Sequence, residues 1–456
     1  MTTVKIVKMG INGEGIAYID HRPVFVEGAF PGETAEIEIT FETERYAKAR
    51  TVSIKEASPD RRKPTCPYTD TCGACALAAM EHDAQCRFKK QLLEEALYKY
   101  GNVSRDLIRD VHSNHIEYGY RTQCKMPVQM SHGKLTTGLY TAGTNHFHPF
   151  DDCIIQDPQL EKARNAVLRV LNAAHVQAYD QETKSGIRYL VLRTLHGKTQ
   201  CTLITGRDRI TEPVIKGIMK IDGMASLFQS INTDRKGVDI FGRNIKKLAG
   251  EDTIDVKLND ITLSLSPRSF FQLNTEEAID LYEMAIAKID PCDTLVEAYC
   301  GVGAMSLLAK DKAKHIIGIE SIPEAVENAA ANALRNDIHN VSFLCADAAE
   351  GLRDVLCKGK VDTLLVDPPR TGMSDMMLDV ILSSDIRKIV YVSCNPATLA
   401  RNLKTLKRDY QVVTVIPFDL FPNTPHIEAI AVLQRNGTFA KKRSTRKKYG
   451  KKNRNR

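Results

Sequence analysis

Residues 294–303, TLVEAYCGVG, are the clearest indication of the fold of the C-terminal third of this chain. An apolar run of strand length, Thr294 to Ala298, is followed by Tyr299, Cys300, a Gly-x-Gly turn and a helical pattern. The glycines allow a tight turn, and the helix N-terminus offers backbone amides to a ligand. Because the third glycine of the nucleotide-binding pattern is missing, a plain strand-to-helix turn is an equally good interpretation.

Six further apolar runs follow, and amphipathic helical patterns separate most of them. This alternation predicts an α/β fold with a doubly wound, mainly parallel sheet and helices on both faces. Ligands of such sheets bind beyond the carboxyl ends of the strands. The runs cover residues 315–319, 341–344, 361–366, 388–392, 411–417 and 427–434.

Acidic residues lie at or just after the ends of the first three of these runs. Glu320 ends the second strand nineteen residues after Gly301, the distance at which an acid accepts the ribose hydroxyls in nucleotide-binding sheets. Together with the glycine turn, it predicts a cofactor that contains a nucleoside. Asp347 follows the third strand, and Asp367 follows the fourth in Asp-Pro-Pro-Arg, where two prolines fix the direction of the loop. A structural turn is the alternative for the last motif.

The fifth strand leads to Cys394 in Val-Ser-Cys-Asn-Pro, and the last begins near Glu428. If that strand runs antiparallel to the others, its start lies at the edge where they end. Both side chains would then line one crevice with Tyr299, Glu320 and Asp367.

Upstream patterns divide the rest of the chain. Alternating short runs with glycines predict a small β-barrel of the oligonucleotide-binding type, a Pro- and Cys-rich segment follows, and mixed strands and helices form a central α+β region. The predicted units are a barrel at 1–57, a cysteine segment at 58–95, a central domain at 96–265, a C-terminal domain at 266–440 and a tail at 441–456.

The net charge of +7 comes from the tail, which holds ten Lys or Arg and no acid. The tail is either a solvated end or an arm that attracts nucleic acid phosphates. Twelve cysteines without a secretory signal or a membrane-spanning apolar run predict a cytoplasmic protein with no membrane partner, in which a few thiols bind metal or act in catalysis.

The motifs Tyr-Cys-Gly-x-Gly, Asp-Pro-Pro-Arg, Ser-Cys-Asn-Pro and His-x-Glu, in this order, resemble those of the S-adenosylmethionine-dependent RNA 5-methyluridine methyltransferases, in particular the 23S ribosomal RNA branch. The resemblance implies a TRAM barrel and a Rossmann-like class I methyltransferase domain. It also implies a monomer whose partner is 23S ribosomal RNA, bound as a single-stranded loop with a flipped uridine.

The same resemblance implies roles for individual residues. Cys394 is the nucleophile that adds to C6 of uracil, and Glu428 is the base that removes the C5 proton. A further hypothesis is that three residues hold the flipped base by stacking or hydrogen bonding: Phe270, Phe271 and Arg370. The S-adenosylmethionine ligands are Gln272, Tyr299, Glu320, Asp347 and Asp367.

A second group of cysteines precedes and interrupts the central region. By the resemblance, Cys66, Cys72, Cys75 and Cys153 hold a [4Fe-4S] cluster, although four thiolates suit zinc equally well. Cys86 competes with Cys153 as the fourth ligand by proximity. The family usually has a glycine at the position of Ala74.

Three alternative functions are weighed against ribosomal RNA methylation. A transfer RNA is the alternative substrate, and a catalytically inert RNA-binding or assembly factor is the alternative class, for which Cys394 and Glu428 would have no use. The third alternative is a methyltransferase that acts on an exocyclic amine. It is compatible with the Asp-Pro-Pro motif but gives Cys394 no role in the reaction.

Overall fold

The computed structural model describes residues 1–141, 146–234 and 239–437, so the predicted basic tail lies outside the described residues. Within these ranges the chain forms three large sheets, one hairpin and the helices that cover them. No helix in the described ranges is both long and apolar enough to cross a bilayer.

The N-terminal sheet has six short strands in the order β1-β5-β6-β4-β3-β2. The amide of Val7 donates to the carbonyl of Ile16, which brings the chain after β1 onto β3 and curls the sheet towards closure. Alternate side chains such as Val24 and Val26 are fully buried inside it, as the alternation predicts. The strands are β1 Thr2–Lys5, β2 Lys8–Met9, β3 Gly15–Ile19, β4 Arg22–Glu27, β5 Thr34–Glu42 and β6 Ala47–Glu56.

The cysteine segment contains the short helix α1, Thr69–Cys72, and then the long helix α2, His82–Gly101. The boundary predicted at residue 95 falls inside α2. Leu93 and Leu97 of α2 belong to the same apolar cluster as the C-terminal sheet, so this helix packs on that sheet. A 3-10 turn follows at Arg105–Leu107.

The central sheet has seven strands in the order β13-β12-β11-β10-β7-β8-β9, and α3 and α4 pack against it. A separate hairpin, β14 with β15, leads into the C-terminal sheet. The strands are β7 Gln123–Ser131, β8 Lys134–Tyr140, β9 Phe147–Pro149, β10 Ile187–Leu195, β11 Lys198–Thr205, β12 Met224–Ile231, β13 Ile245–Gly250, β14 Ile254–Leu258 and β15 Ile261–Leu265, and the helices are α3 Pro158–Ala173 and α4 Glu212–Met219.

The C-terminal sheet has the predicted doubly wound architecture, with strand order β18-β17-β16-β19-β20-β22-β21. All pairs are parallel except those of β22, which runs antiparallel to both neighbours. The strands are β16 Cys292–Ala298, β17 Ala313–Glu320, β18 Val341–Cys345, β19 Thr363–Val366, β20 Lys388–Ser393, β21 Tyr410–Phe418 and β22 Glu428–Arg435.

Helices cover both faces of this sheet. Leu295 packs into the apolar cluster on one face, and Val296 and Ala298 pack into the cluster on the other, so the strand is buried on both sides. The helices are α5 Thr275–Ala287, α6 Ala304–Leu308, α7 Pro323–Arg335, α8 Ala348–Lys358, α9 Asp375–Ser383 and α10 Pro396–Leu406.

Candidate active site

The strand order places most of the predicted site residues in one row. The ends of β18, β17, β16, β19 and β20 and the start of β22 meet at the same edge of the sheet. Neighbouring strands lie about 4.8 Å apart, so the row is roughly 24 Å long. In order along the edge, the residues are Asp347, Glu320, Tyr299, Asp367, Cys394 and Glu428.

The turn after β16 has an unusual backbone. Tyr299, Gly301 and Gly303 all have positive φ, at 66°, 53° and 83°. A tyrosine in this region is strained, and such strain is typical of ligand sites. A Cβ on Gly301 would meet no heavy atom within 4 Å, whereas one on Gly303 would lie 2.9 Å from Cζ of Phe343. The turn is therefore open on the side of Gly301 and tightly packed behind Gly303.

Glu320 reaches this turn from the end of β17. One carboxylate oxygen accepts a hydrogen bond from the amide of Gly301 at 3.1 Å, and the other accepts from the amides of Ser321 at 2.7 Å and Ile322 at 3.0 Å. These bonds fix the carboxylate beside the glycine turn. The arrangement fits a ribose at this position, where its hydroxyls would meet the carboxylate.

Asp347 and Gln272 are less directly connected to the turn. Asp347 caps α8, because its Oδ1 accepts from the amides of Ala349 at 2.9 Å and Glu350 at 3.3 Å, and its charge also acts on Tyr299. Gln272 is buried before α5 and, within the part of the chain that the structure describes, forms no hydrogen bond to the turn.

A buried acid that the sequence analysis did not single out lies behind the turn. Glu297 is 1% exposed in β16 and accepts a hydrogen bond from the hydroxyl of Ser306. Burial raises the pKa of Glu297 to about 8, so the carboxyl group holds its proton well above the usual range. The signal was available in the sequence, since a glutamate inside an apolar run of a buried parallel strand is unexpected.

Cys394 and Glu428 are neighbours across two paired strands. Ser393 pairs with Ala429 in the antiparallel register of β20 and β22, so the next position along β20, Cys394, lies opposite Glu428. The antiparallel orientation predicted conditionally from the sequence is confirmed. Side chains in directly opposed positions have Cβ atoms about 5 Å apart.

The electrostatic environment of this pair is dominated by two acids, the buried Glu428 and the half-buried Asp367. Burial raises the pKa of Glu428 well above its usual value, with a further contribution from Asp367, and burial raises the pKa of Asp367 to about 7. Burial, Glu428 and Asp367 together raise the pKa of Cys394 to about 12, whereas Arg370 acts in the opposite direction. Without a ligand, Cys394 is therefore a neutral thiol.

The loops that present these groups are tied together. Asn395 caps α10 through the amide of Ala397 at 3.0 Å, and its side-chain amide donates to the carbonyl of Arg370 at 3.0 Å. The guanidinium of Arg370 donates to Nδ1 of His426 at 3.3 Å. Burial lowers the pKa of His426, and the positive charge of Arg370 lowers it further. Both effects favour the neutral ring, which can accept this hydrogen bond.

The structure separates the two aromatic residues predicted to grip a base. Phe270 is 68% exposed and free to stack, but Phe271 is 4% exposed and packs against Tyr282 with ring centroids 6.4 Å apart. The hypothesis that Phe271 holds a base is therefore wrong, because its ring is part of the apolar core. Arg370 is exposed at the crevice.

The four predicted ligand cysteines form a second group. Cys75 interacts electrostatically with Cys153, Cys72 and Cys66. The four thiols are therefore close in space, although Cys153 is distant in sequence. Burial raises the pKa of Cys75 to about 12 and that of Cys153 to about 11. Ala74 does not have a positive φ, so the alanine is tolerated where the family has a glycine.

Cys86 lies elsewhere. Its sulfur is 3.9 Å from Nε2 of His82, and it forms a compact group with His82 and Asp419. The alternative in which Cys86 completes the four-cysteine group has no support in this placement.

Comparisons with known proteins agree with this architecture. The model of the tRNA (Uracil-5-)-methyltransferase family matches residues 82–436, and the model of the TRAM domain matches residues 2–52. A protein of Bacillus cereus named "Uncharacterized RNA methyltransferase" is 35% identical over 95% of this chain and 96% of its own length. A protein of Enterococcus faecalis with the same name is 34% identical over 95% of this chain and 97% of its own length.

A solved structure shares the fold. The tRNA (uracil-54, C5)-methyltransferase of Pyrococcus abyssi, in complex with S-adenosyl-L-homocysteine, superposes with a TM-score of 0.77 at 24% identity, covering 94% of this chain and 99% of that chain. The row of residues at one edge of a Rossmann-like sheet, the preceding barrel and the length of the family match lead to one conclusion. The chain belongs to the tRNA (uracil-5-)-methyltransferase family, with an N-terminal TRAM domain, and is an RNA methyltransferase.

Proposed function

We propose that this enzyme transfers a methyl group from S-adenosylmethionine to C5 of a uridine in 23S ribosomal RNA through a covalent adduct on Cys394. The observation that carries the proposal is the pairing of β20 with β22, which sets a thiol opposite a buried carboxyl group with Asp367 beside both. A protein that only binds RNA has no need for a nucleophile and a base at one crevice.

The methyl donor is assigned to the β18–β16 side of the row. Tyr299, Glu320 and Asp347 lie on this side, and the open face of Gly301 and the carboxylate of Glu320 fit a nucleoside. Gln272 is assigned to the donor by the family resemblance. When bound there, S-adenosylmethionine supplies an electrophilic methyl group. Asp367 stands between this half of the row and the half that holds Cys394 and Glu428.

Two residues of the other half carry out the chemistry on the base. The thiol of Cys394 gives its proton to solvent and its sulfur bonds to C6 of uracil. The electrons of the C5–C6 double bond move towards the carbonyl at C4, so that C5 becomes nucleophilic enough to accept the methyl group. C5 then carries both the methyl group and its original hydrogen. Glu428 takes that hydrogen as a proton, the double bond re-forms, and the sulfur leaves.

The raised pKa values serve this sequence of steps differently. A carboxylate whose pKa is shifted towards neutrality is a stronger base for the C5 proton, which favours Glu428 in the second step. The same negative charges oppose formation of the Cys394 thiolate in the first step. Arg370 is the group that favours the thiolate, and we assign it this role together with contact to the RNA.

RNA recognition is assigned to three regions. The exposed ring of Phe270 suits stacking on a base extruded from its strand, and the TRAM domain adds a surface for RNA. The tail at 441–456 supplies ten positive charges for the phosphate backbone.

The four-cysteine group is assigned a [4Fe-4S] cluster with a structural or RNA-positioning role. The four thiols interact electrostatically, so they are close enough in space to serve one metal group. Four thiolates suit zinc or an iron–sulfur cluster, and the cluster is preferred because of the family resemblance. One thiolate each would come from Cys66, Cys72, Cys75 and Cys153.

Transfer RNA is the second candidate substrate. The description of the matched family and the name of the Pyrococcus abyssi enzyme both refer to transfer RNA. Ribosomal RNA is preferred because the four-cysteine pattern resembles that of the ribosomal RNA branch. Mapping of 5-methyluridine in both RNA classes from cells lacking this protein decides between them, since the modification should disappear from 23S ribosomal RNA and persist in transfer RNA.

The covalent mechanism is tested with RNA containing 5-fluorouridine. Fluorine at C5 cannot leave as a proton does, so the enzyme should remain attached to the methylated RNA as a species stable in denaturing gels. The adduct should form with the wild type and with Cys357→Ala, which changes an exposed cysteine of α8, and should be absent with Cys394→Ala. Formation of the same adduct by Cys394→Ala would disprove the proposed nucleophile.

A further inference from the structure

Away from the active-site row, several donor atoms converge on one ring nitrogen. Nε2 of His82 lies 3.2 Å from Oδ2 of Asp419, 3.4 Å from Oγ of Ser113 and 3.9 Å from Sγ of Cys86. An imidazole nitrogen has either one hydrogen or one lone pair, so hydrogen bonding satisfies only one of these three neighbours.

The group is assembled from separate parts of the chain. His82 and Cys86 are four residues apart at the start of α2, which places them on the same face of the helix. Asp419 follows β21, and Ser113 lies between the 3-10 turn and β7. The side chains of His82 and Asp419 are 8% and 0% exposed, so they meet away from bulk water.

The distances from the His82 nitrogen are close to those of a tetrahedral metal site. Zinc bonds of about 2.0 to 2.1 Å to nitrogen and oxygen and about 2.3 Å to sulfur set a nitrogen ligand about 3.3 Å from an oxygen ligand and about 3.6 Å from a sulfur ligand. The two nitrogen–oxygen distances lie within about 0.1 Å of this value, and the nitrogen–sulfur distance is about 0.3 Å longer. The donor atoms of His82, Cys86 and Asp419 also all lie within 4.8 Å of one another.

The outer contacts have the form expected around metal ligands. Nδ1 of His82 lies 3.1 Å from Nδ1 of His115, so a His82 ring that binds metal through Nε2 can donate its remaining hydrogen there. The other oxygen of Asp419 accepts from the ammonium of Lys89, which is fully buried. The charges of the Cys86 thiolate and the Asp419 carboxylate together equal that of a divalent cation, and the ammonium of Lys89 adds one further positive charge beside Asp419.

We propose that His82, Cys86, Asp419 and Ser113 form a binding site for a zinc-like divalent cation, separate from the four-cysteine group. Four protein donors leave no open coordination position, so the ion is structural. It fastens the start of α2 to the segment between β21 and β22, nine residues before Glu428. Binding displaces the thiol proton of Cys86 and the Nε2 proton of the His82 ring, and both protons go to solvent.

A metal-free state is the competing explanation. In that state hydrogen bonds raise the pKa of His82 to about 10, and the bond to Asp419 has a larger effect than the bond to Cys86. The protonated imidazole then links Asp419 to the rest of the group. The two explanations differ in metal content, and protein stability alone does not separate them.

The first experiment counts metal on the full chain. The purified protein is stripped with a chelator, incubated with Zn²⁺, desalted and analysed for zinc, iron and sulfide. We expect the wild type and Cys357→Ala to hold one more zinc per chain than Cys86→Ala and His82→Gln, with the same iron and sulfide in all four. Equal zinc in all four proteins would overturn the proposal.

The second experiment needs no variant, so it is informative even if the substitutions impair folding. Alkylation of each cysteine of the wild type is followed by mass spectrometry with and without Zn²⁺. The alkylation rate of Cys86 should fall at least tenfold with Zn²⁺, while that of exposed Cys357 stays constant. A Cys86 rate that Zn²⁺ leaves unchanged would favour the metal-free imidazolium and refute the site.

Discussion

The most direct consequence of the opposed Cys394 and Glu428 is a change in thiol reactivity when the acid loses its charge. In the ligand-free enzyme, Glu428 is one of the groups that raise the pKa of Cys394 to about 12. The substitution Glu428→Gln keeps the size of the side chain and removes the negative charge. The pKa of Cys394 should therefore fall, and more thiolate should be present at a given pH.

The magnitude follows from the strand register. Side chains opposed across β20 and β22 place their charges roughly 6 Å apart, and at an effective dielectric of about 20 this repulsion is about 3 kcal/mol, or roughly two pKa units. The thiolate fraction would rise about 100-fold, but each thiolate would be about tenfold less nucleophilic because its pKa is lower. The net expectation is an increase of about tenfold in the rate of reaction.

The assay is site-resolved modification by an aromatic disulfide, followed by mass spectrometry between about pH 8 and about pH 10. The range is alkaline because the thiolate fraction of Cys394, and with it the rate of modification, rises with pH. Only the ionised form of Glu428 opposes the thiolate. Glu350→Gln, an exposed substitution on α8, is the matched control, and Cys357 is the internal reference in every sample.

One outcome would show that Glu428 does not act on the thiol of Cys394. If Cys394 reacts in Glu428→Gln at the wild-type rate or more slowly across this range, while Cys357 is unaffected, the two side chains do not share an electrostatic environment. The assignment of Glu428 as the base that acts beside Cys394 would then lose its structural support.

Three further predictions follow from other parts of the structure. Gly303→Ala should lower the free energy of unfolding by about 1 to 3 kcal/mol in urea titrations, because the position has a φ of 83° and the added Cβ meets Phe343. The control Gly359→Ala, at a position with extended backbone and open space, should change this free energy by less than about 0.5 kcal/mol. Equal effects of the two substitutions would contradict the packing argument. Glu297 has a folded-state pKa of about 8, above its unfolded value, so its contribution to stability is complete below about pH 4.5 and is lost as the pH rises through 8. Relative to Glu297→Gln, the wild type should lose up to about 1.4 kcal/mol of unfolding free energy per pH unit in that window, and parallel curves would show that Glu297 is not buried as a neutral acid. Removal of residues 441–456 should weaken RNA binding and make its dependence on salt less steep in filter-binding titrations, whereas an unchanged slope would indicate a merely solvated tail.

Much of the fold was predictable from local patterns. The strands of the C-terminal sheet, between Cys292 and Arg435, were predictable from the sequence because a strand buried on both faces is a continuous apolar run. Amphipathic helices separate most of these runs. The chemical character of the strand ends was visible for the same reason, since a residue such as Cys394 after an apolar run must lie at an edge of the sheet. The burial of Phe271 was not predictable, because two adjacent phenylalanines give no local signal of which one points into the core.

The local sequence pattern is enough to show which side chains lie at the ends of the strands: Tyr299, Glu320, Asp367, Cys394 and the acid that begins the last strand. Their lateral order depends on the fold, because hydrogen bonding between strands distant in the chain sets which ends are neighbours. Pairing of β22 between β20 and β21 brings Glu428 opposite Cys394. Packing of α2 on the same sheet brings His82 and Cys86 to Asp419, more than 300 residues away along the chain. Local patterns carry no information about either contact, since each depends on how separate elements bury their apolar faces together.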